Sequence, residues 1–309
     1  MKTKQSAKSN VKEAVFVLLG QSNAVGHNLP MRKCDVIDTP LKNVFGLNRQ
    51  NNQSFDNTQF KWTGYTSFGT NLAEEQDDTY SVANCLAKLW QEHIDNGNEN
   101  NLPNLYIVQI AVGAQGVSDG FMWNPSKKQT LVAGKLGEVD ISLFCFSKHI
   151  LQLIDKSFCD MQKDYEIIGL HWRGGEEDMV VNREDFCDYL QQIYTTMIDD
   201  FNHILHNPPI VLHKIVAYER ANDLDFTGKY ANNLKNINNV FCRLQNNYQN
   251  VSLFDVQRFC NYNPSVRGNG IFMQDVVHYT EEVNRWVAQS ILDDFVQKHC
   301  NDMPKSKPF

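Results

Sequence analysis

Long hydrophobic runs are missing from this 309-residue sequence. The first apolar stretch, Ala14–Leu19, is far too short to span a bilayer, so no membrane partner is expected. The opening segment, Met1 to Asn10, is polar and basic and lacks the apolar core of a secretory leader. A cytoplasmic protein is the expectation, with secretion open if a leader was trimmed. Positive charge is also scarce: 29 Lys and Arg stand against 36 Asp and Glu, for a formal net charge of −7. With no basic stripe carrying interleaved aromatics, a nucleic-acid partner is excluded, because a phosphate backbone demands clustered cations. The eight cysteines are scattered without a C-x-x-C pair, which argues against a zinc centre or a disulfide framework and for buried free thiols. His27, His93, His149, His203, His206, His213 and His299 show no ligand spacing with a nearby carboxylate, so no metal site is indicated. Neither a P-loop nor a strand-linked G-x-G-x-x-G is present, which ranks a flavodoxin-like nucleotide binder low.

Repeats and Pro- or Gly-rich linkers are absent too, so a single large domain is expected over residues 13–300. Residues 1–12 then form a flexible N-terminal tail and 301–309 a C-terminal one. What the chain does have is 42% hydrophobic and 11% aromatic residues, enough for a substantial core. Short β-branched runs at Ala14–Leu19, Leu105–Val112, Glu166–Trp172, Ile210–Ala217 and Val251–Asp255 read as strands. Amphipathic stretches near Tyr80–Asn96, Asp140–Cys159, Arg183–His206, Gly228–Asn247 and Glu281–His299 read as the helices between them. In the last, Val283, Trp286, Val287, Ser290, Ile291 and Phe295 fall near one face. Strands separated by helix-sized crossovers imply a three-layer α/β/α sandwich around a mostly parallel sheet. Ligands in such sheets bind beyond the carboxyl ends of the strands. Residues 28–78, rich in Asn, Gln and Thr, read as a long excursion over the sheet edge or the site's mouth.

Two motifs carry chemistry. In Leu18-Leu-Gly-Gln-Ser-Asn-Ala-Val-Gly26 a hydrophobic strand runs through Gly20 to Ser22, placing a hydroxyl at a strand's carboxyl end. Backbone N–H groups there can bind a developing oxyanion. Ser22 and Asn23 as plain helix caps is the competing reading. In Asp275-Val-Val-His278-Tyr-Thr280, three-residue spacing lets Asp275 orient His278 toward a nucleophile. The competing reading there is a surface Asp–His pair before a helix. Thr280 suits an N-cap, with Glu281 and Glu282 in the first turn.

Together these motifs resemble the first and last blocks of the SGNH hydrolases. The G-Q-S-N form is similar to the branch holding sialate O-acetylesterases and carbohydrate acetylesterases. Leu105-Tyr-Ile-Val-Gln-Ile-Ala-Val-Gly113-Ala-Gln-Gly116 resembles that branch's strand and Gly-Gly-Thr turn, Trp123-Asn-Pro125 its Trp-x-Pro element, and His171-Trp-Arg-Gly-Gly175-Glu176-Glu-Asp178 its Trp-x-Gln-Gly-Glu-x-Asp element. The resemblance implies an SGNH/flavodoxin-like sandwich, no cofactor, and hydrolysis of an acetyl ester on a small molecule or glycan. It implies Ser22 as nucleophile, His278 as base and Asp275 as its partner. Gly113, Ala114, Gln115 and Glu176 would support the oxyanion site, and Gln21, Asn23, Trp123 and Arg173 are candidates for substrate contact. Three departures stand out: Ala114 and Gln115 replace the second Gly and the Thr, Ala24 replaces a Met, and Gly174 replaces a glutamine that donates to the oxyanion in relatives. A catalytically weak homologue that binds a glycan is therefore the alternative expectation.

Overall fold

The computed structural model describes residues 12–27, 32, 35–47, 60–73, 80–97, 102–126, 130–132, 138–140, 142–216, 229–258 and 278–300. Strand β1 (Glu13–Gly20) leads through a four-residue helix, α1 (Ser22–Val25), to β2 (Val44–Leu47) and β3 (Trp62–Gly64). Helix α2 (Val82–Asp95), β4 (Leu105–Ala111), the strand pair β5 (Thr130–Val132) and β6 (Glu138–Asp140), and α3 (Leu143–Met161) follow. Then come β7 (Tyr165–Arg173), α4 (Phe186–Leu205), β8 (Ile210–His213), α5 (Lys229–Asn247), β9 (Val251–Phe254) and α6 (Glu281–Cys300).

Seven strands form the main sheet in the order β3-β2-β4-β1-β7-β8-β9. All neighbours pair in parallel except β2 with β3. The expected α/β architecture with a mostly parallel central sheet is the one observed. Its physical cause shows in β1. Val15, Val17 and Leu19 point into one core, with residues of α3, α4 and α5, while Ala14, Phe16 and Leu18 point into a second, with residues of α2 and α6. A strand buried on both faces reads as an unbroken apolar run, which made β1, β4 and β7 visible in the sequence. Helix α6 buries Val283, Val287, Ala288, Ile291, Leu292 and Phe295. It packs on α2, with the rings of Trp90 and Phe295 5.0 Å apart.

The excursion over residues 28–78 contains β2 and β3, which extend the sheet beyond β4. At four and three residues they are too short to show periodicity. Packing holds that edge: the Trp62 ring lies 5.0 Å from Tyr106, which lies 4.9 Å from Phe158 of α3. The expectation of buried thiols needs correction. Among the described cysteines Cys85 is buried, with its thiol pushed up to about 12 by desolvation, whereas Cys145 and Cys159 are exposed.

Candidate active site

The first strand's carboxyl end is built around a glycine. Gly20 has φ +146°, and a Cβ there would sit 2.0 Å from the Arg173 carbonyl oxygen. That approach follows from pairing Gly20 with Arg173 across β1 and β7, continued by the Gln21 N–H donating to Arg173 O at 3.0 Å. The Gly20 carbonyl accepts from Trp123 Nε1 at 3.0 Å. Ser22 opens α1 at 8% exposure, and its carbonyl accepts from the N–H groups of Gly26 and His27 at 2.8 and 3.0 Å. The N-cap of α1 is Gln21, with no side-chain cap bond, so Ser22 is not a capping residue.

Side chains from distant segments hold this turn. Glu176 follows β7 and accepts from Gln21 Nε2 at 2.7 Å and from Asn23 Nδ2 at 3.2 Å. Glu176 reaches the turn through these two side-chain amides. Desolvation raises its pKa, against the Asn23 hydrogen bond and the Arg173 charge. Arg173 Nη1 donates to the Asn23 carbonyl and to Asn284 Oδ1 of α6, each at 2.9 Å. The remaining Arg173 donors, Nε and Nη2, are buried and have no hydrogen-bond partner among the described residues. Asn23 Oδ1 accepts from the Tyr279 N–H at 3.1 Å, tying the serine turn to the residue after His278.

The second turn follows β4. Ala114 takes φ 55°, a left-handed conformation that a side chain disfavours. Gln115 Oε1 accepts from the Met122 N–H at 3.0 Å, which closes the loop. Asp178, in the segment after β7, is 0% exposed. It accepts from the N–H of Val117 and from both the N–H and hydroxyl of Ser118. Gly116 leaves it room, since a Cβ would sit 2.5 Å from Asp178 Oδ1. Burial raises the Asp178 carboxyl to about 6, although the Ser118 and Val117 hydrogen bonds pull it down.

His27 had no distinguishing signal in the sequence, yet the fold brings it to the site. Its ring centroid lies 6.1 Å from that of His278 and its Cε1 would be 2.5 Å from a Cβ on Gly113. Asp275 lies outside the described residues. The substrate-contact candidates Gln21, Asn23, Trp123 and Arg173 are all under 5% exposed, and each hydrogen-bonds to a residue of the serine turn or of its supports. At Gly174 a Cβ would begin 3.1 Å from Trp172 Cζ2, so the glycine matches the indole packed beside it. His171 is a core residue, its Nδ1 2.9 Å from His213 Nε2. Burial holds His171 down at about 3 and His213 well below the usual imidazole range. Among the described residues no group of three or more His, Cys, Asp or Glu is placed to hold a metal, and no helix is long and apolar enough to cross a membrane.

No protein-family model matches the chain, and no curated protein matches it. Likeness lies in the structure. A protein from Arabidopsis thaliana superposes with a TM-score of 0.54 at 15% identity, over 94% of this chain and 100% of its own. NanS superposes with a TM-score of 0.59 at 14% identity, over 93% and 98%. Est24, a carbohydrate acetylesterase from Sinorhizobium meliloti, covers 93% and 100% at 11% identity and a TM-score of 0.43. The first two show a shared fold, an α/β architecture around a mostly parallel sheet.

Proposed function

We propose that the chain is a serine-dependent carboxylic ester hydrolase that removes acetyl groups from a carbohydrate. One observation carries the reading: the Tyr279 N–H bonds to Asn23 Oδ1, joining segments 256 positions apart so that the residues flanking Ser22 and His278 touch. Nothing in local folding requires that contact, whereas a nucleophile and its base must be neighbours. The acetyl-carbohydrate part rests on the sequence resemblance.

In this mechanism the Ser22 hydroxyl attacks the ester carbonyl while His278 accepts its proton. Asp275 stabilises the imidazolium, and the N–H groups of Ser22 and Gly113 bind the tetrahedral oxyanion. His278 then protonates the departing alcohol, and water, deprotonated by His278, releases acetate from Ser22.

Hydrolysis of a chromogenic acetyl ester at neutral pH tests the reading. Ser22→Ala and His278→Ala should each lower kcat by roughly 10⁴-fold or more with folding intact. Turnover unchanged in Ser22→Ala would sink it. Gly174, which offers no side-chain donor, motivates the rival reading of a weak homologue that binds a glycan. A serine-reactive phosphonate separates the two, because His278-dependent labelling of Ser22 belongs to an enzyme and a folded protein that resists labelling to a binder.

A further inference from the structure

We infer that His27 donates an imidazole N–H to the oxyanion, beside the N–H groups of Ser22 and Gly113. The inference rests on the proposed esterase chemistry and names a catalytic residue for it. A tetrahedral oxyanion is stabilised by donors fixed around the place where its charge develops, and side-chain imidazoles can serve among them. The strand ends around Ser22 offer few side chains for that task. Gly174 has none, and Gln115 is tied to its own loop through Oε1, which accepts from the Met122 N–H. Arg173 lies at 2% exposure with Nη1 committed to Asn23 and Asn284. Gln21 and Asn23 have turned their amide nitrogens onto Glu176.

His27 packs on the second turn. The three atoms nearest to a Cβ placed on Gly113 all belong to its ring: Cε1 at 2.5 Å, Nδ1 at 3.1 Å and Nε2 at 3.3 Å. The imidazole therefore lies directly over the residue whose N–H would meet the oxyanion, which also explains why position 113 has no side chain. Its backbone is fixed to the nucleophile, since the His27 N–H donates to Ser22 O at 3.0 Å. The ring is only partly buried and lies 6.1 Å, centroid to centroid, from His278. One imidazole then handles the proton while the other faces the developing negative charge.

The test compares His27→Ala, His27→Phe and His27→Gln on two substrates, p-nitrophenyl acetate and an acetylated monosaccharide, with Ser22→Ala alongside. Loss of one oxyanion donor lowers kcat by roughly 10²–10³-fold. That loss is expected in the Ala and Phe variants, on both substrates, with KM nearly unchanged. Gln, whose amide can donate, should recover at least part of it, and affinity for a boronic-acid transition-state analogue should track kcat across the series. Full activity in His27→Phe would overturn the inference, since a ring that only props Gly113 needs no N–H. So would a loss confined to the sugar acetate, which would place His27 on the leaving-alcohol side. Hydrolysis that survives in Ser22→Ala would instead overturn the esterase reading itself.

Discussion

Two turns leave the carboxyl ends of adjacent parallel strands, and they are held in opposite ways. The serine turn after β1 is tied by Trp123, Arg173, Glu176 and the Tyr279 backbone, which come from three separate parts of the chain. The glycine turn after β4 hangs chiefly on the buried carboxylate of Asp178 and carries a strained alanine. A nucleophile must be aimed, and many independent ties restrict it. In the proposed mechanism the turn after β4 must present N–H groups to an oxyanion, and one acceptor behind it is enough to orient the peptides. The difference predicts that the first turn fails by steric blockage and the second by loss of one charge.

The largest effect is expected from Gly20→Ala. Its Cβ would overlap the Arg173 carbonyl at 2.0 Å in a backbone region closed to side chains. Overpacking and strain together should destabilise the fold by about 4 kcal/mol or more, read as a lower urea midpoint or failure to fold. A near-neutral result would show that β1 and β7 can part, and would undo the picture of an over-tied turn.

Asp178→Asn comes next. The new NH₂ would face N–H groups that now donate to a carboxylate, at a cost of about 2 kcal/mol at pH 7, with kcat lowered more than KM. The pH dependence has a definite sign. With the native carboxyl at about 6 against a reference of 3.8, the folded state takes up its proton first on acidification. This group therefore adds stability to wild type as pH falls, and loses it as pH rises through 6. The deficit of Asp178→Asn should widen by about 2 kcal/mol between pH 7 and 4.5 in denaturant titrations. The neutral His171–His213 pair acts in the reverse sense on total stability but is common to both proteins, so it cancels.

The smallest effect belongs to Ala114→Gly, which relieves the left-handed strain at φ 55° and adds unfolded-state freedom. The net gain is about 0.5–1 kcal/mol, visible as a modest rise in Tm. A loss of stability would mean that the Ala114 methyl makes contacts that outweigh its strain.

Much of the fold was legible because doubly buried strands announce themselves. Five of the seven strands of the main sheet and five helices stood out, the strands as apolar runs and the helices as amphipathic stretches. Strands β2 and β3 did not, because their placement depends on pairing with β4 and on the Trp62–Tyr106–Phe158 cluster, not on any local pattern. At the site, Ser22 stood out by its strand–Gly–x–Ser setting and Glu176 by its block. Asp178 resembled any loop acid until its burial was visible. Trp123 and Arg173 were legible as special residues but not as buried ones, since indoles and guanidiniums suit a substrate as well as a core.

By itself the sequence determined the layered α/β architecture and the strand that ends at Gly20, and it offered the residue types on which the proposed acyl transfer rests. These follow from periodicity and from short-range steric rules, which act over a few positions. Only the tertiary structure decided which side chains face one another: Asn23 with Tyr279, Asp178 with the 117–118 turn, and His27 over Gly113. Even the nearest of those partners, Asp178 and Ser118, are 60 positions apart, and the contacts exist because parallel strands carry their carboxyl ends to one edge of the sheet.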